Sequence, residues 1–265
     1  MIMISKNIKC RAEVISDYKK IYNLIPLEAG QVWKISLFEL KENIPAHYHR
    51  IQTQLMMVLN GKLNLKINDK FIKCCEGSFI AIPPNTAHEI LLDEQTTFLT
   101  IDIPGFNFPE DVYVNEKPTL QITEEIFTCH SQTEARINSQ MLLKSSLLEE
   151  LKSIKKIPEQ YYISKIEKDG FTVYSLCENE TAWSIAIIDV IKVQEHYHKF
   201  GSEHFIVLNG EMEITLNGKT YKLKAGQSVH VPANIKHKIK SVSSTPVRFL
   251  CVNFPSFEEN NFYEI

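Results

Sequence analysis

His196-Tyr197-His198-Lys199-Phe200-Gly201-Ser202-Glu203, followed by Val207-Leu208-Asn209-Gly210, places three potential metal ligands ahead of a tight-turn signal. Much of this stretch occurs twice. His47-Tyr48-His49 matches His196-Tyr197-His198, and Val58-Leu59-Asn60-Gly61 matches Val207-Leu208-Asn209-Gly210. Gly77, Pro83, Asn85 and His88 then match Gly226, Pro232, Asn234 and His237, all by one constant increment. Hydrophobic patterning alone does not hold identical residues in register over such a distance, so the chain reads as a duplication of one unit.

Within each copy the segments are short, alternating and rich in Val, Ile, Phe and Leu, which predicts strands. Examples run from Trp33 to Leu40, Leu55 to Leu59, Lys62 to Ile67, Trp183 to Val190, Phe205 to Leu208, Glu211 to Leu216 and Ser228 to Val231. Asn60-Gly61, Asn209-Gly210 and Asn217-Gly218 supply the positive φ that tight hairpins demand. Many short strands at near-regular spacing predict an all-β sandwich or barrel. One helix is expected between the copies, from about Thr133 to Ile154, where Ile137, Met141, Leu148 and Leu151 recur at helical intervals before Pro158.

A formal charge of -3 over 265 residues gives no electrostatic reason to bind nucleic acid or an anionic membrane. No run of eighteen apolar residues and no signal-peptide pattern is present, so a cytoplasmic location is expected. Cys10, Cys74, Cys75, Cys129, Cys177 and Cys251 contain no C-x-x-C pair and read as reduced core thiols.

The chemistry lies in the histidines. On an extended segment His196 and His198 project from one face. Glu203 follows a short turn and His237 comes from a later strand, so the four converge only if the sheet curls, as in a small barrel. Three imidazoles and a carboxylate suit Fe, Mn, Ni, Co, Cu or Zn and not calcium or magnesium. His130, His204 and His230 read instead as structural, hydrogen-bonded residues.

Residues 196–210 have the pattern H-x-H-x-x-x-x-E-x-x-x-x-x-x-G and residues 226–237 the pattern G-x-x-x-x-x-P-x-N-x-x-H, which together resemble the two signature motifs of the cupin superfamily. The resemblance implies two tandem double-stranded β-helix (jelly-roll) barrels, a bicupin. Its expected divisions are an N-terminal arm over 1–24, a first barrel over 25–112, a connector over 113–160 containing the helix about 133–154, and a second barrel over 161–265. It further implies one divalent transition metal on His196, His198, Glu203 and His237. In the first copy the corresponding positions are His47, His49, Gln54 and His88. Gln54 stands where the family has Glu and leaves occupancy of that site open, because a neutral amide contributes no charge against a divalent ion. A Gln54→Glu exchange is accordingly expected to raise first-site affinity.

Four protein ligands leave positions open for a substrate on the metal. Two enzyme classes follow from the resemblance: a dioxygenase-type oxidoreductase acting on a small polar organic molecule, which we prefer, and an isomerase of a sugar or sugar phosphate. Glu203 is the candidate catalytic residue, and Lys199, Lys236, Lys238 and Arg248 are the cations available to a phosphate. A non-catalytic metal-dependent binding module is the third class. The expected partner is a small molecule, with no nucleic acid and no membrane, and the chain is expected to be a monomer or homodimer.

Overall fold

The computed structural model describes residues 11–16, 19–25, 34–67, 70–76, 78–103, 112–114, 127–129, 135–138, 148–149, 152, 157, 162, 164–179, 183–254 and 259–265. Two compact units carry the strands, Lys9–His130 and Ser131–Ile265. In the first, a seven-stranded sheet has the order Arg11–Ser16, Lys19–Ile25, Lys34–Leu40, Thr96–Ile103, Thr53–Asn60, Phe79–Ile82, Phe127–Cys129. A five-stranded sheet accompanies it, in the order Tyr113–Val114, Ile44–Tyr48, His88–Leu92, Lys62–Ile67, Lys70–Cys75.

The second unit repeats this arrangement strand for strand. Its large sheet runs Ser164–Lys168, Phe171–Asn179, Trp183–Val190, Val247–Phe254, Ser202–Asn209, Ser228–Val231, Arg136–Asn138. Its small sheet runs Tyr263–Glu264, Lys192–Tyr197, His237–Ser241, Glu211–Leu216, Lys219–Lys224. Adjacent strands pair antiparallel, as in Glu203↔Asn253 and Gln54↔Asp102. Both units are jelly-roll barrels of the kind the motifs implied.

The alternation seen in the sequence has its expected cause. Phe205 and Val207 point inward against Met212, Ile214, Val229 and Phe249, while Met56 and Val58 do the same against Leu63, Leu65, Ile80 and Phe98. Residues on the other face of these strands, Ile206, Leu208, Leu55 and Met57, are also buried, so the middle of each central strand is apolar on both faces.

Residues between the expected divisions behave differently from the sequence reading. Arg11–Ser16 and Lys19–Ile25, assigned to an arm, pair with each other and extend the first large sheet. The expected connector contributes Tyr113–Val114 and Phe127–Cys129 to the first barrel and Arg136–Asn138 to the second. The connector helix therefore does not begin at Thr133. Arg136–Asn138 is a strand that covers the edge of Ser228–Val231, and Ile137 packs on the barrel core. Pairing an otherwise open edge outweighs the helical spacing of a single apolar residue. Leu148, Glu149 and Lys152 are helical. Met141, Leu151 and Ile154, like Trp33, Gly77, Cys10 and His130, lie outside the described residues.

Asn217 and Gly218 both have positive φ, 45° and 83°, as the mirror-image hairpin turn requires. Gly61 has φ 89°, and a Cβ there would lie 2.6 Å from the Gln95 carbonyl oxygen. Gly61→Ala should therefore destabilise the first barrel by about 1 kcal/mol or more, read as a lower denaturant midpoint at unchanged slope. An unchanged midpoint would show that the turn relaxes freely.

Candidate metal centre

In the second barrel the small sheet brings His196 opposite His237, as partners across the ladder between Lys192–Tyr197 and His237–Ser241. A register shift between Val193 and His196 bends that strand just before the first ligand. His198 lies one residue past the strand's end, and Glu203 reaches in from the large sheet. The Pro232-Ala233-Asn234 turn is held in place by its asparagine. Asn234 takes the left-handed conformation, φ 64°, and its backbone N–H donates to the His198 carbonyl at 2.7 Å.

Each imidazole is oriented through its far nitrogen. Nδ1 lies 2.8 Å from the Gln194 carbonyl in His196, 3.0 Å from that of Asn261 in His198, and 2.9 Å from that of Ile235 in His237. With Nδ1–H donating outward, each Nε2 keeps a lone pair for the interior. The Nε2 atoms of His198 and His237 lie 3.3 Å and 3.1 Å from Glu203 Oε2. The ligating atoms of all four residues fall within 4.8 Å of one another.

Burial, then the neighbouring His237, pushes the His196 imidazole down to about 4. Burial opposes ionisation of Glu203, but His198 and His237 beside it win and hold its carboxyl well below the usual range. For His198 burial is again the opposing effect, and the Glu203 carboxylate raises it. The second oxygen, Glu203 Oε1, lies 3.9 Å from the Cys251 thiol, which burial and then Glu203 push well up, so it stays protonated.

The first barrel builds three quarters of the same centre. His47 faces His88 across the ladder, with their Nδ1 atoms on the Pro45 and Thr86 carbonyls at 2.9 Å and 3.0 Å. The ligating atoms of His47, His49 and His88 lie within 4.8 Å of one another. Asn85, φ 60°, donates its backbone N–H to the His49 carbonyl, as Asn234 does to His198. Burial first, then His47 and His49, holds His88 well below its ordinary value. Gln54 is buried in the position of Glu203, but its Nε2 donates to Asp102 Oδ1 at 3.2 Å.

His204 and His230 stay outside both centres. They are ladder partners stacked at 4.3 Å with 17° between planes, and both are buried. Arg248, offered as a phosphate-binding cation, is engaged by the Asp189 carboxylate through Nε at 2.6 Å and an Nη at 2.7 Å. Lys199 Nζ lies 4.1 Å above the Tyr263 ring. Sequence reasoning missed the C-terminal residues at the second centre. Phe262 stacks on His196 at 4.1 Å, and the Asn261 side chain bonds the backbone of Lys199 and Phe200 while its carbonyl takes His198. No motif spacing predicts a strand of two residues, Tyr263–Glu264, that returns to Lys192–Tyr197.

The residues fit a divalent transition metal. His88 Nε2, His237 Nε2 and Glu203 Oε2 are buried and make no hydrogen bond among the described residues. Buried polar atoms left without such a partner are expensive; a cation within the second barrel's cluster would resolve those of Glu203 and His237, and one within the first barrel's cluster that of His88. The donor set selects borderline metals.

A jelly-roll barrel with three imidazoles and a carboxylate converging on one point defines the class. Residues 190–253 match the cupin domain family. Among curated proteins, quercetin 2,3-dioxygenase of Bacillus subtilis is 21% identical over 219 residues, covering 74% of this chain and 65% of that protein. Polyketide synthase CurC of Streptomyces cyaneus is 30% identical over 59 residues, covering 22% of this chain and 38% of that protein. The chain thus spans less than two thirds of either relative. Among solved structures, oxalate decarboxylase from Bacillus subtilis at pH 4.6 aligns with 99% of this chain and 78% of its own at 16% identity and a TM-score of 0.37. The second unit thus carries a cupin domain, and the first unit repeats its strand order, the arrangement of a bicupin. No helix among its described residues is long and apolar enough to cross a membrane.

Metal bound here should stabilise the second barrel, because it replaces bare buried lone pairs with coordination. Chelation, verified by elemental analysis, is expected to lower the melting temperature. Bound imidazole must be unprotonated, so protons compete with the ion as pH drops, first at His198, whose pKa is raised, and at His196 only near pH 4. A melting curve indifferent to verified metal removal would contradict this assignment.

Proposed function

We propose that this bicupin is a metal-dependent oxidoreductase of the dioxygenase type, acting on a small polar organic molecule at the second barrel. The observation that carries the reading is the convergence of His196, His198, Glu203 and His237 within 4.8 Å, with a carboxylate kept ionised despite burial. The relative aligned over most of the chain, a quercetin dioxygenase, supports the choice of reaction class. A redox-active divalent ion held there supplies Lewis acidity toward a chelating substrate and electron exchange with dioxygen.

The chain's own residues prepare the site for that chemistry. The three backbone carbonyls fix the imidazoles before substrate arrives, so no reorganisation is needed at the reacting centre. Glu203, held ionised by His198 and His237, is the group able to take a proton from an acidic substrate hydroxyl. Phe262 and, deeper in, Phe205 present apolar walls that limit water. A sugar-phosphate isomerase would want cations at the mouth. Of the four that the sequence offered, Arg248 is committed to Asp189 and Lys199 lies against Tyr263, which leaves the exposed Lys236 and Lys238.

The experiment is elemental analysis of protein purified without a metal-binding tag, followed by oxygen uptake with a panel of metal-chelating polar aromatics, flavonols included. Substrate-dependent oxygen consumption is expected. Glu203→Ala and His198→Ala should abolish it with the β circular dichroism signal retained, since neither side chain belongs to the apolar core. Substrate turnover without oxygen uptake would overturn the oxidoreductase reading.

A further inference from the structure

The row of residues that crosses the large sheet at the level of the metal ligands reads Ser184, Asn253, Glu203, Val231 in the second barrel. In the first barrel the same row reads Lys34, Asp102, Gln54, Ile82. Residues directly opposite one another on neighbouring strands share a face, so each row lies along one face of its sheet. Each row holds a single carboxylate, but on neighbouring strands: at the ligand position in the second barrel, one strand over in the first. The amide moves the opposite way, Asn253 against Gln54.

Hydrogen bonding follows the exchange. In the second barrel Asn253 turns its Nδ2 away from Glu203, toward Ser184 Oγ at 3.1 Å, and leaves the carboxylate to the histidines. In the first barrel Gln54 Nε2 and Gln52 Nε2 both donate to Asp102 Oδ1, at 3.2 Å and 3.3 Å. Lys34, buried like Asp102, is Asp102's partner on the other side of the ladder. With its nitrogen committed to Asp102, Gln54 has only its amide oxygen left as a ligating atom.

We infer that Asp102 is the first barrel's relocated carboxylate, a positioning residue that fixes Gln54 as a neutral oxygen donor, so that the 54/102 pair and not residue 54 alone sets metal affinity there. The inference rests on the reading that His47, His49 and His88 take a metal ion. Its consequence reverses the simple expectation for Gln54→Glu. That exchange alone would put a second acceptor where an amide now donates to Asp102, so the hydrogen bond that fixes residue 54 is lost and two acceptors face each other with no donor between them. The new carboxylate would no longer be held in place beside the histidines, and the charge it adds would be poorly placed for the ion. Gln54→Glu together with Asp102→Asn recreates the Glu203/Asn253 pair, keeps one carboxylate in the row, and leaves it free to face the ion.

The test titrates cobalt(II) into the full chain carrying His196→Ala and His198→Ala, so that the second centre is disabled. Dissociation constants and the visible ligand-field spectrum are read for this parent, for Gln54→Glu, for Asp102→Asn and for the double exchange. The double exchange should bind on the order of tenfold or more tighter than the parent, with a changed spectrum, while each single exchange gains far less. Gln54→Glu alone matching the double would overturn the inference. Should Gln54→Glu fail to fold, the near-isosteric Asp102→Asn remains as reference, and equal affinity of Asp102→Asn and the double exchange would overturn it equally. No cobalt binding by any of the four would defeat the reading of the first barrel as a metal site, and the inference with it. Binding without coupling would defeat the inference alone.

Discussion

The contact on which the second centre depends is the bond from each histidine Nδ1 to a backbone carbonyl. Three such bonds, to Gln194, Asn261 and Ile235, turn three Nε2 lone pairs toward one point. A side chain can rotate away from a ligand, but a carbonyl held in a sheet or turn cannot follow it without breaking its neighbours. Two of the three bonds, those of His196 and His237, reach back only two residues, so each ring is aimed by the backbone just before it. The third spans the chain from His198 to Asn261. The left-handed asparagines complete the frame, tying the turn that carries the last histidine to the residue that carries the second. This explains why the spacing P-x-N-x-x-H recurs in both copies: proline fixes φ entering the turn, asparagine tolerates positive φ, and the histidine opens the next strand.

Those short-range requirements are what made the fold and the quartet legible. Alternation gave the strands because one face of each packs on a core, and the shared increment gave the duplication because both copies keep the same turns. Among the strands that the sequence reading did not name, Thr96–Ile103 and Val247–Phe254 are central to their sheets, whereas the shortest lie at sheet edges. Arg136–Asn138 and Tyr263–Glu264 exist because a sheet edge is available to pair with, which is a property of the finished barrel and leaves little trace in local periodicity. Asn261, Phe262, Cys251 and Asp102 escaped for a related reason. Each reaches its centre through a ladder register or a returning segment, and register is set by tertiary pairing.

The two centres differ most in how buried charge is balanced. In the second, Glu203 answers the imidazoles and is itself held ionised by them. In the first, three imidazoles approach one another with no acidic side chain in the cluster, and the effects that lower His88 come from burial and its two histidine neighbours. The carboxylate of that barrel is directed to Gln52 and Gln54 instead. One fold thus presents an ion with either an anionic or a neutral donor set while the histidine frame stays the same. Selection can adjust the electrostatics of one barrel without disturbing the geometry that both require.

The mouths of the barrels diverge on the same principle. In each, a short returning strand lays a tyrosine on the tyrosine between the paired histidines, Tyr113 on Tyr48 and Tyr263 on Tyr197, at 5.3 Å and 5.2 Å. In each, a cation covers the outer tyrosine, Arg50 at 3.9 Å and Lys199 at 4.1 Å. The residue before that tyrosine is Val112 in the first strap and Phe262 in the second. Only the phenylalanine offers a flat ring, and it lies 22° from the plane of His196. Stacking of that kind restricts ring rotation and occupies space that water would fill, so the strap that merely closes a sheet edge in the first barrel also becomes part of the ligand frame in the second. The site that holds the carboxylate thus also has an aromatic ring stacked on one of its imidazoles.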